Sequence, residues 1–511
     1  MYKTKNPITR VFFAFLMGSA AALAFAPTYL FFILFFSFPA LLFLLGKSKS
    51  LKESFFLGWG FGFGLFLCGL YWISYALLVD QDMFGWLVPF AVLLIPAILA
   101  LYIGSITLLL HRIRTRPVSL TITFISLWVL VEMLRTKLFT GFPWLTLGYS
   151  WSNKITLIQS ASLFGVFGVS FIILVIILTP FILLKNYKKS KFIAISYSIC
   201  SLIAFFLNFS YGIWRLDTAD REFLQHSVRI VQPNIKQSIK WDRRYRYQNL
   251  QKIMELSKQN GNSSQTYIIW PEAAITYSLD NKNTRNIIKE IIPEESYLIT
   301  GGIRLSKNNT LKLMSSLFVI GSDGEIVDHY DKMHLVPFGE YIPLKDFIPF
   351  NISKITHGLL DYTPGSKAKI ITPKSEYPSF RGLICYESFF PQEILFNEQK
   401  PDFLINITND AWYGNSPGPY QHLDITKFRA IEYGLPMVRS ANSGVSAIIN
   451  QYGEILQQLN LNQEGYLINK LPKPQKSRTF YHLHGNNVII FFLVIILPNV
   501  FVRYKHRPSG N

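Results

Sequence analysis

Gly382-Leu-Ile-Cys-Tyr-Glu387 carries a short apolar run straight into a thiol, a phenol and a carboxylate. Short apolar runs that stop at polar residues suit buried strands. In α/β sheets reactive groups gather outside the C-terminal ends of such strands. The pattern recurs on both sides of this stretch. Val228–Val231 runs into Gln-Pro-Asn, Tyr267–Ile269 into Trp270-Pro-Glu272, and Phe403–Ile407 into Thr-Asn-Asp. Helices are expected over 244–259, 283–291 and 421–434, and hairpins at Gly321-Ser-Asp-Gly324 and Asn450-Gln-Tyr-Gly453. Residues 227–470 therefore read as one α/β domain.

Outward from this domain the chain changes character. Half of its 511 residues are hydrophobic, and 43 of them are Phe, a composition that suits lipid-facing helices. Seven apolar runs lie near 9–25, 29–46, 54–78, 87–110, 118–134, 160–184 and 192–210, and an eighth near 487–502. Several approach the roughly 20 residues that cross a bilayer. The expected organisation is a membrane domain over 1–210 with seven transmembrane helices, a linker over 211–226, the α/β domain, a second linker over 471–486, and an eighth span over 487–504.

The net charge of +19 is not a nucleic-acid footprint, because the surplus sits between the apolar runs. It lies in Lys3, Lys5 and Arg10; Lys47, Lys49 and Lys52; Arg112, Arg114 and Arg116; Lys185, Lys188, Lys189 and Lys191; and Arg503, Lys505 and Arg507. With the N-terminus cytoplasmic, all five stretches fall on the cytoplasmic side, as the positive-inside rule requires. The loop over 79–86, with Asp80 and Asp82 and no basic residue, falls opposite. Both termini are then cytoplasmic and the α/β domain lies across the membrane.

Other features of the apolar half have structural readings. Gly58, Gly60, Gly62 and Gly64 predict close helix packing rather than a phosphate loop. Phe142-Pro-Trp-Leu-Thr-Leu-Gly-Tyr149 reads as an interfacial loop anchored by Trp144 and Tyr149, and Glu132 as a carboxylate near that interface. Cys68 and Cys200 read as small buried hydrophobes. That leaves Cys385 as a free thiol in the polar half.

A thiol is mostly protonated near neutral pH and needs a base, a cation or both to become a nucleophile. Glu272 offers the base, and Lys332 a fixed ammonium for the thiolate and for an oxyanion. Spacing alone does not select these three from other Glu, Lys and Cys residues. The histidines His334, His482 and His484 lack further ligands at metal-site spacing, so neither a metal nor another cofactor is expected.

The context of the three residues is more specific. Trp270-Pro-Glu272, Tyr330-Asp-Lys-Met-His-Leu-Val-Pro-Phe-Gly-Glu-Tyr341 and Cys385-Tyr-Glu387, in that order, resemble the signature blocks of the nitrilase superfamily. That resemblance implies a four-layer α-β-β-α sandwich with a Glu-Lys-Cys set. Asn406-Ile-Thr-Asn-Asp-Ala-Trp-Tyr-Gly414 is similar to the superfamily's block after the cysteine. Together with Leu23-Ala-Phe-Ala-Pro27 and the 142–149 block, nearly the whole chain resembles the apolipoprotein N-acyltransferase family. Thr408 and Tyr413 depart from that pattern, where Ser and Phe are more usual, and this leaves fine substrate preference open.

The family resemblance implies a bacterial inner-membrane enzyme with a periplasmic catalytic domain. A phospholipid would give an acyl chain to Cys385, and the α-amino group of a diacylated apolipoprotein would take it. Glu272 would be the base, and Lys332 the oxyanion partner, with the Tyr386 N–H beside it. Glu340 would orient Lys332 or share its proton traffic, and Tyr386 and Glu387 would shape the acyl pocket. Trp241 and Trp412 are either lipid-contacting lids or core aromatics. One rival reading is a membrane-anchored amidase that hands the acyl group to water, for which a single span would do. Another is a transporter or scaffold with an inactive domain, which the presence of all three residues argues against.

Overall fold

The computed structural model describes residues 6–113, 116–259, 266–306, 311–345, 354–356, 358, 360–394 and 400–502. Lys3, Lys5, Arg114, Arg503, Lys505 and Arg507 of the basic stretches lie outside the described residues. The chain divides into two compact units. One comprises Met1–Ser74, Leu87–Thr218 and Thr479–Asn511, the other Tyr75–Trp86 and Ala219–Arg478.

The second unit holds twelve strands among its described residues: β1 (Phe223–Gln232), β2 (Thr266–Ile269), β3 (Tyr297–Ser306), β4 (Lys312–Gly321), β5 (Ile326–Asp331), β6 (Ile370–Ile371), β7 (Phe380–Ile384), β8 (Phe403–Thr408), β9 (Met437–Ala441), β10 (Ser446–Ile449), β11 (Ile455–Leu459) and β12 (Gly465–Pro472). They form two six-stranded sheets, ordered β12-β1-β2-β3-β4-β5 and β11-β10-β9-β8-β7-β6. Parallel pairing joins β1, β2 and β3 in one sheet and β7, β8 and β9 in the other. The remaining neighbours are antiparallel, including both expected hairpins, β4–β5 and β10–β11.

Side-chain alternation explains the layering. Val228, Ile230, Tyr267 and Ile269 of one sheet pack against Phe380, Ile384, Ile405 and Ile407 of the other in a core between the sheets. The intervening Val231 and Ile268 face outward, against Leu250 and Ile253 of the helix Arg246–Lys258 and Ile288 of the helix Lys282–Ile288. The third expected helix, Gly418–Tyr433, is buried along its length and ends at Gly434, whose φ of +62° is the left-handed C-terminal stop that glycine permits. The sandwich is therefore α-β-β-α. Since β5 runs antiparallel to β4, and β4 to β3, the C-terminal ends of β2 and β5 lie on the same edge of their sheet.

The first unit is helical. Among the described residues, five helical segments are long and apolar enough to cross a membrane: Leu51–Leu78, Gln81–Ile113, Pro117–Leu134, Ala161–Asn186 and Lys191–Asp217. The other three apolar runs form shorter helices, Pro7–Ala22, Phe31–Leu45 and Asn487–Val502. At 1.5 Å per residue such lengths fall short of about 30 Å of hydrocarbon, so helix length supports five of the eight expected spans.

The alternating glycines serve two neighbours. A Cβ at Gly58 would lie 2.1 Å from Thr107 Oγ1, and one at Gly62 3.0 Å from Ala100, both on the helix Val88–Ile113. A Cβ at Gly60 would meet Val11 at 3.1 Å, and one at Gly64 the Phe15 carbonyl oxygen at 2.2 Å, both on Pro7–Ala22. The two i, i+4 pairs thus let one helix approach two others closely. Arg10 Nη2 meets Glu53 Oε1 at 2.7 Å in a buried pair, so this basic residue is neutralised within the unit.

In the 142–149 block Trp144 and Tyr149 are both buried. Glu132 is buried as well, and its Oε1 accepts hydrogen bonds from Trp128 Nε1 (3.0 Å) and Leu147 N (2.7 Å), which anchors the block. The expectation that Cys68 and Cys200 are buried is corrected: both are exposed. The stretch 211–226 is mostly ordered: Lys191–Asp217 continues as helix because Arg215 turns inward to Gln159, and β1 starts at Phe223. Likewise β12 closes at Pro472, and Phe480–His484 is a helix capped by Thr479.

Substituting Gly64 by Ala should lower the thermal midpoint in detergent by the equivalent of about 2 kcal/mol, because the Cβ meets backbone that cannot yield. Gly46→Ala, whose Cβ meets nothing closer than 3.5 Å, should leave the midpoint nearly unchanged. Equal midpoints for the two variants would contradict the packing account.

Candidate active site

Cys385 follows the last residue of β7 and has φ of +49°, the left-handed region that non-glycine residues rarely adopt. The turn is held on all sides. Ile384 N donates to Glu387 Oε2 (2.7 Å), and the Cys385 carbonyl accepts from Ser388 Oγ (3.3 Å) and Asn406 Nδ2 (3.4 Å). The strand therefore ends in a sharp pivot that sets the thiol outside the sheet. Burial, then the negative charge of Glu272, pushes the thiol up to about 12, against the opposing pull of Lys332 and a hydrogen bond with Thr408.

Glu272 follows β2 by way of Pro271. A Cβ at Gly301 would come within 2.7 Å of Glu272 Cα, so a glycine at that point of β3 is what lets the turn sit down on the sheet. Lys332 follows β5. Its Nζ donates to Glu340 Oε1 at 2.9 Å and to Glu272 Oε1 at 3.2 Å, and it is 1% exposed. The outer oxygens of both carboxylates are also held: Glu272 Oε2 accepts from Asn409 N (3.1 Å) and Glu340 Oε2 from Val336 N (2.7 Å). Burial disfavours the Lys332 charge, but Glu272, Glu340 and Cys385 outweigh it and hold the ammonium well above its ordinary range. Burial raises Glu340, Lys332 pulls it down and Glu272 raises it again, for a net upward shift.

The structure thus brings Glu272, Lys332, Glu340 and Cys385 together. Glu387 is placed differently. Its Oε1 accepts from Tyr330 OH (2.6 Å) and Met333 N (2.8 Å), while Oε2 takes Ile384 N. It ties the cysteine turn to the lysine loop and works as an anchor. The Tyr386 ring is buried among His334, Phe389 and Phe390. His334 also pairs with Glu393 (2.9 Å). Trp241 and Trp412 are both half-buried.

Several residues at the site had no signal of their own in the sequence. Lys240 Nζ donates to the Glu272 carbonyl oxygen at 3.0 Å. Tyr413, which the sequence marks only as a departure from the family pattern, lies within the fields of Cys385, Asp410 and Glu272. Behind the Cys385 turn, Asp410 Oδ1 meets His422 Nδ1 (2.9 Å), Asp410 Oδ2 meets Arg439 Nη2 (2.6 Å), and His422 Nε2 meets Ser388 Oγ (3.0 Å), all fully buried. Burial raises Asp410, but Arg439 and His422 overcome it and bring the carboxyl down to about 2. The Thr-Asn-Asp turn after β8 was visible in the sequence; its partners on Gly418–Tyr433 and β9 were not, because only folding brings them near. Gly414, which closes this turn with φ of +59°, has the Tyr75 ring where its Cβ would be, 2.4 Å away.

A two-sheet sandwich with a thiol, an ammonium and two carboxylates at its strand ends is a carbon–nitrogen hydrolase domain, and a Carbon-nitrogen hydrolase family model matches residues 227–476. An Apolipoprotein N-acyltransferase N-terminal domain model matches residues 17–179. Similar full-length relatives carry the name apolipoprotein N-acyltransferase. That of Rickettsia typhi is 37% identical over 501 residues, covering 97% of this chain and 98% of its own. That of Rhodopseudomonas palustris is 34% identical over 528 residues (98% and 96%), and that of Brucella suis 35% over 486 residues (91% and 90%). The chain belongs to the apolipoprotein N-acyltransferase family.

Glu387→Ala should leave the buried Tyr330 hydroxyl and the Ile384 and Met333 amides without their acceptor, costing about 3 kcal/mol. The expected result is a clear fall in thermal midpoint together with slower alkylation of Cys385. A variant of unchanged stability would show that the anchor is dispensable.

Proposed function

We propose that the chain transfers an acyl chain from a phospholipid, through a thioester on Cys385, to the α-amino group of the N-terminal diacylglyceryl-cysteine of an apolipoprotein. The observation that carries this reading is the buried Lys332 ammonium shared by Glu272 and Glu340 beside a thiol at a strained strand end. The family membership supports the choice of substrates.

In the first half-reaction the Cys385 proton passes to Glu272 as sulfur attacks the ester carbonyl. The oxyanion takes hydrogen bonds from the Lys332 ammonium and the Tyr386 N–H. Collapse breaks the ester C–O bond, and Glu272 returns the proton to the departing alkoxide, giving a lysophospholipid. In the second half the acceptor's neutral amine attacks the thioester and gives its proton to Glu272. The C–S bond breaks, and Glu272 reprotonates the thiolate. Two easier steps replace one hard transfer. Trp241 and Trp412, half-buried near this site's loops, are proposed contacts for the acyl chains.

The domain organisation follows the same proposal: a membrane domain with both termini cytoplasmic, eight spans in all, and the catalytic domain periplasmic at the bacterial inner membrane. The basic loops and the acidic 79–86 loop support this orientation. Both substrates carry lipid tails, so chemistry at a membrane surface spares their full extraction into water.

Purified protein given phospholipid and a diacylated lipopeptide should form triacylated lipopeptide and lysophospholipid in equal amounts. Free fatty acid as the main product would favour the amidase-like reading. Cys385→Ala and Glu272→Gln should each lower transfer by at least about a thousandfold. Because the free thiol is held up to about 12, iodoacetamide should label Cys385 slowly near pH 7 and progressively faster as pH rises above about 9. Rapid labelling near pH 7 would contradict that environment.

A further inference from the structure

The site contains a second ammonium that the reaction scheme above leaves without a task. Lys240 ends the short helix Gln237–Lys240, in the turn that follows β1. That turn is pinned to the catalytic side of the other sheet. Asn442 holds Ile235 at both its N–H (3.1 Å) and its carbonyl (2.7 Å), and Asn409 Nδ2 donates to Gln237 Oε1 (2.7 Å). Asn409 is the residue whose N–H binds Glu272 Oε2. Lys240 is thus held in place by the same residues that hold the base.

Its environment is unusual for a lysine. The side chain is 2% exposed, and among the described residues its Nζ has one hydrogen-bond acceptor, the carbonyl oxygen of Glu272 at 3.0 Å. An ammonium has three donors, and burying one with a single neutral partner is costly. The nearby charges explain why it is tolerated. Glu272 and Glu340 both lean on the one ammonium of Lys332. Two carboxylates share the one ammonium they both contact, and the next cation, Lys354, lies in the field of Glu340 and not of Glu272, which leaves an excess of negative charge on the Glu272 and Cys385 side of the pocket. A thiolate or an oxyanion would then form against that excess. The facing groups that act on Lys240 are Glu272 and Cys385, and both favour its charge. Burial works against them and brings the amine down to about 8. Around Cys385 the remaining titratable groups are Asp410, already paired with Arg439 and His422, and the phenols Tyr386 and Tyr413. None of these supplies a spare cation.

We infer that Lys240 is a positioning residue of the acyl-transfer site, holding the Glu272 main chain and supplying the second positive charge that lets two carboxylates and a developing thiolate share one dry pocket. The inference rests on the proposed roles of Cys385, Glu272 and Lys332.

The test follows the rate of Cys385 acylation against pH, using intact mass after mixing with phosphatidylethanolamine vesicles. Wild type, K240Q, K240M and K240R are compared, with each variant's thermal midpoint. If wild type forms no adduct, the thioester reading itself fails, separately from the role of Lys240. With wild type active, K240Q and K240M should acylate about a hundredfold more slowly near neutral pH. Their pH–rate profiles should move upward by about one unit or more, and K240R should recover the wild-type profile. K240Q decides the matter alone if K240M does not fold, because its amide can keep the hydrogen bond to Glu272 while removing the charge. An unmoved K240Q profile, whether its rate is normal or merely reduced, would overturn the inference.

Discussion

Everything at this site depends on one buried ammonium. Lys332 is nearly inaccessible to water and donates to two carboxylates at once. A buried ion pair is weak evidence for stability, since the desolvation of its partners can cancel their attraction. Here the arrangement is better understood as chemical. The paired carboxylates hold the lysine charged, and the lysine in turn lets Glu272 sit beside a thiol. The remaining oxygens are fixed by main-chain N–H groups of Asn409 and Val336. The polar groups are therefore oriented before any substrate arrives, which is how preorganised sites stabilise charge that appears only in the transition state.

The sandwich exists to bring those groups together. Glu272, Lys332 and Cys385 follow β2, β5 and β7, strands from two sheets that share one apolar core. Glu387 then locks the cysteine turn to the lysine loop across the sheets. The Asp410–His422–Ser388 chain braces the turn from behind. His422 is lowered by burial and by Arg439, against Asp410, so this chain braces as a hydrogen-bonded unit around one fixed carboxylate. A left-handed cysteine is strained backbone, and such strain persists only where the surroundings over-determine it.

Much of this was legible in the chain. The short apolar runs before Glu272, Cys385 and Thr408 gave the strands, because buried parallel strands leave a plain signal. The order of the three chemical blocks, through the resemblance they carry, pointed to Glu272, Lys332 and Cys385, which the fold brings near one another. Lys240 and His422 were not legible, since a lone lysine or histidine acquires meaning only from partners far off in sequence. The apolar half was misread where burial within protein and burial in lipid look alike. Trp144 and Cys68 are both apolar in sequence, yet the structure buries the first and turns the second outward. Linker bounds failed for a related reason: polar residues such as Arg215 continue a helix when they find an inward partner.

A family of acyltransferases built on a hydrolase-like domain raises the question of what keeps water from taking the acyl group. Cys385 is 5% exposed, and the turn that carries it is crowded with the aromatic side chains of Tyr386, Phe389 and Phe390, which leaves little of the sulfur open to solvent. The most direct measurement of the central claim is peptide mass analysis of the protein after exposure to phospholipid alone. The account predicts a single acyl group on Cys385, stable until a diacylated lipopeptide is added and then lost. No adduct at Cys385, or one on another residue that chases into product, would contradict it.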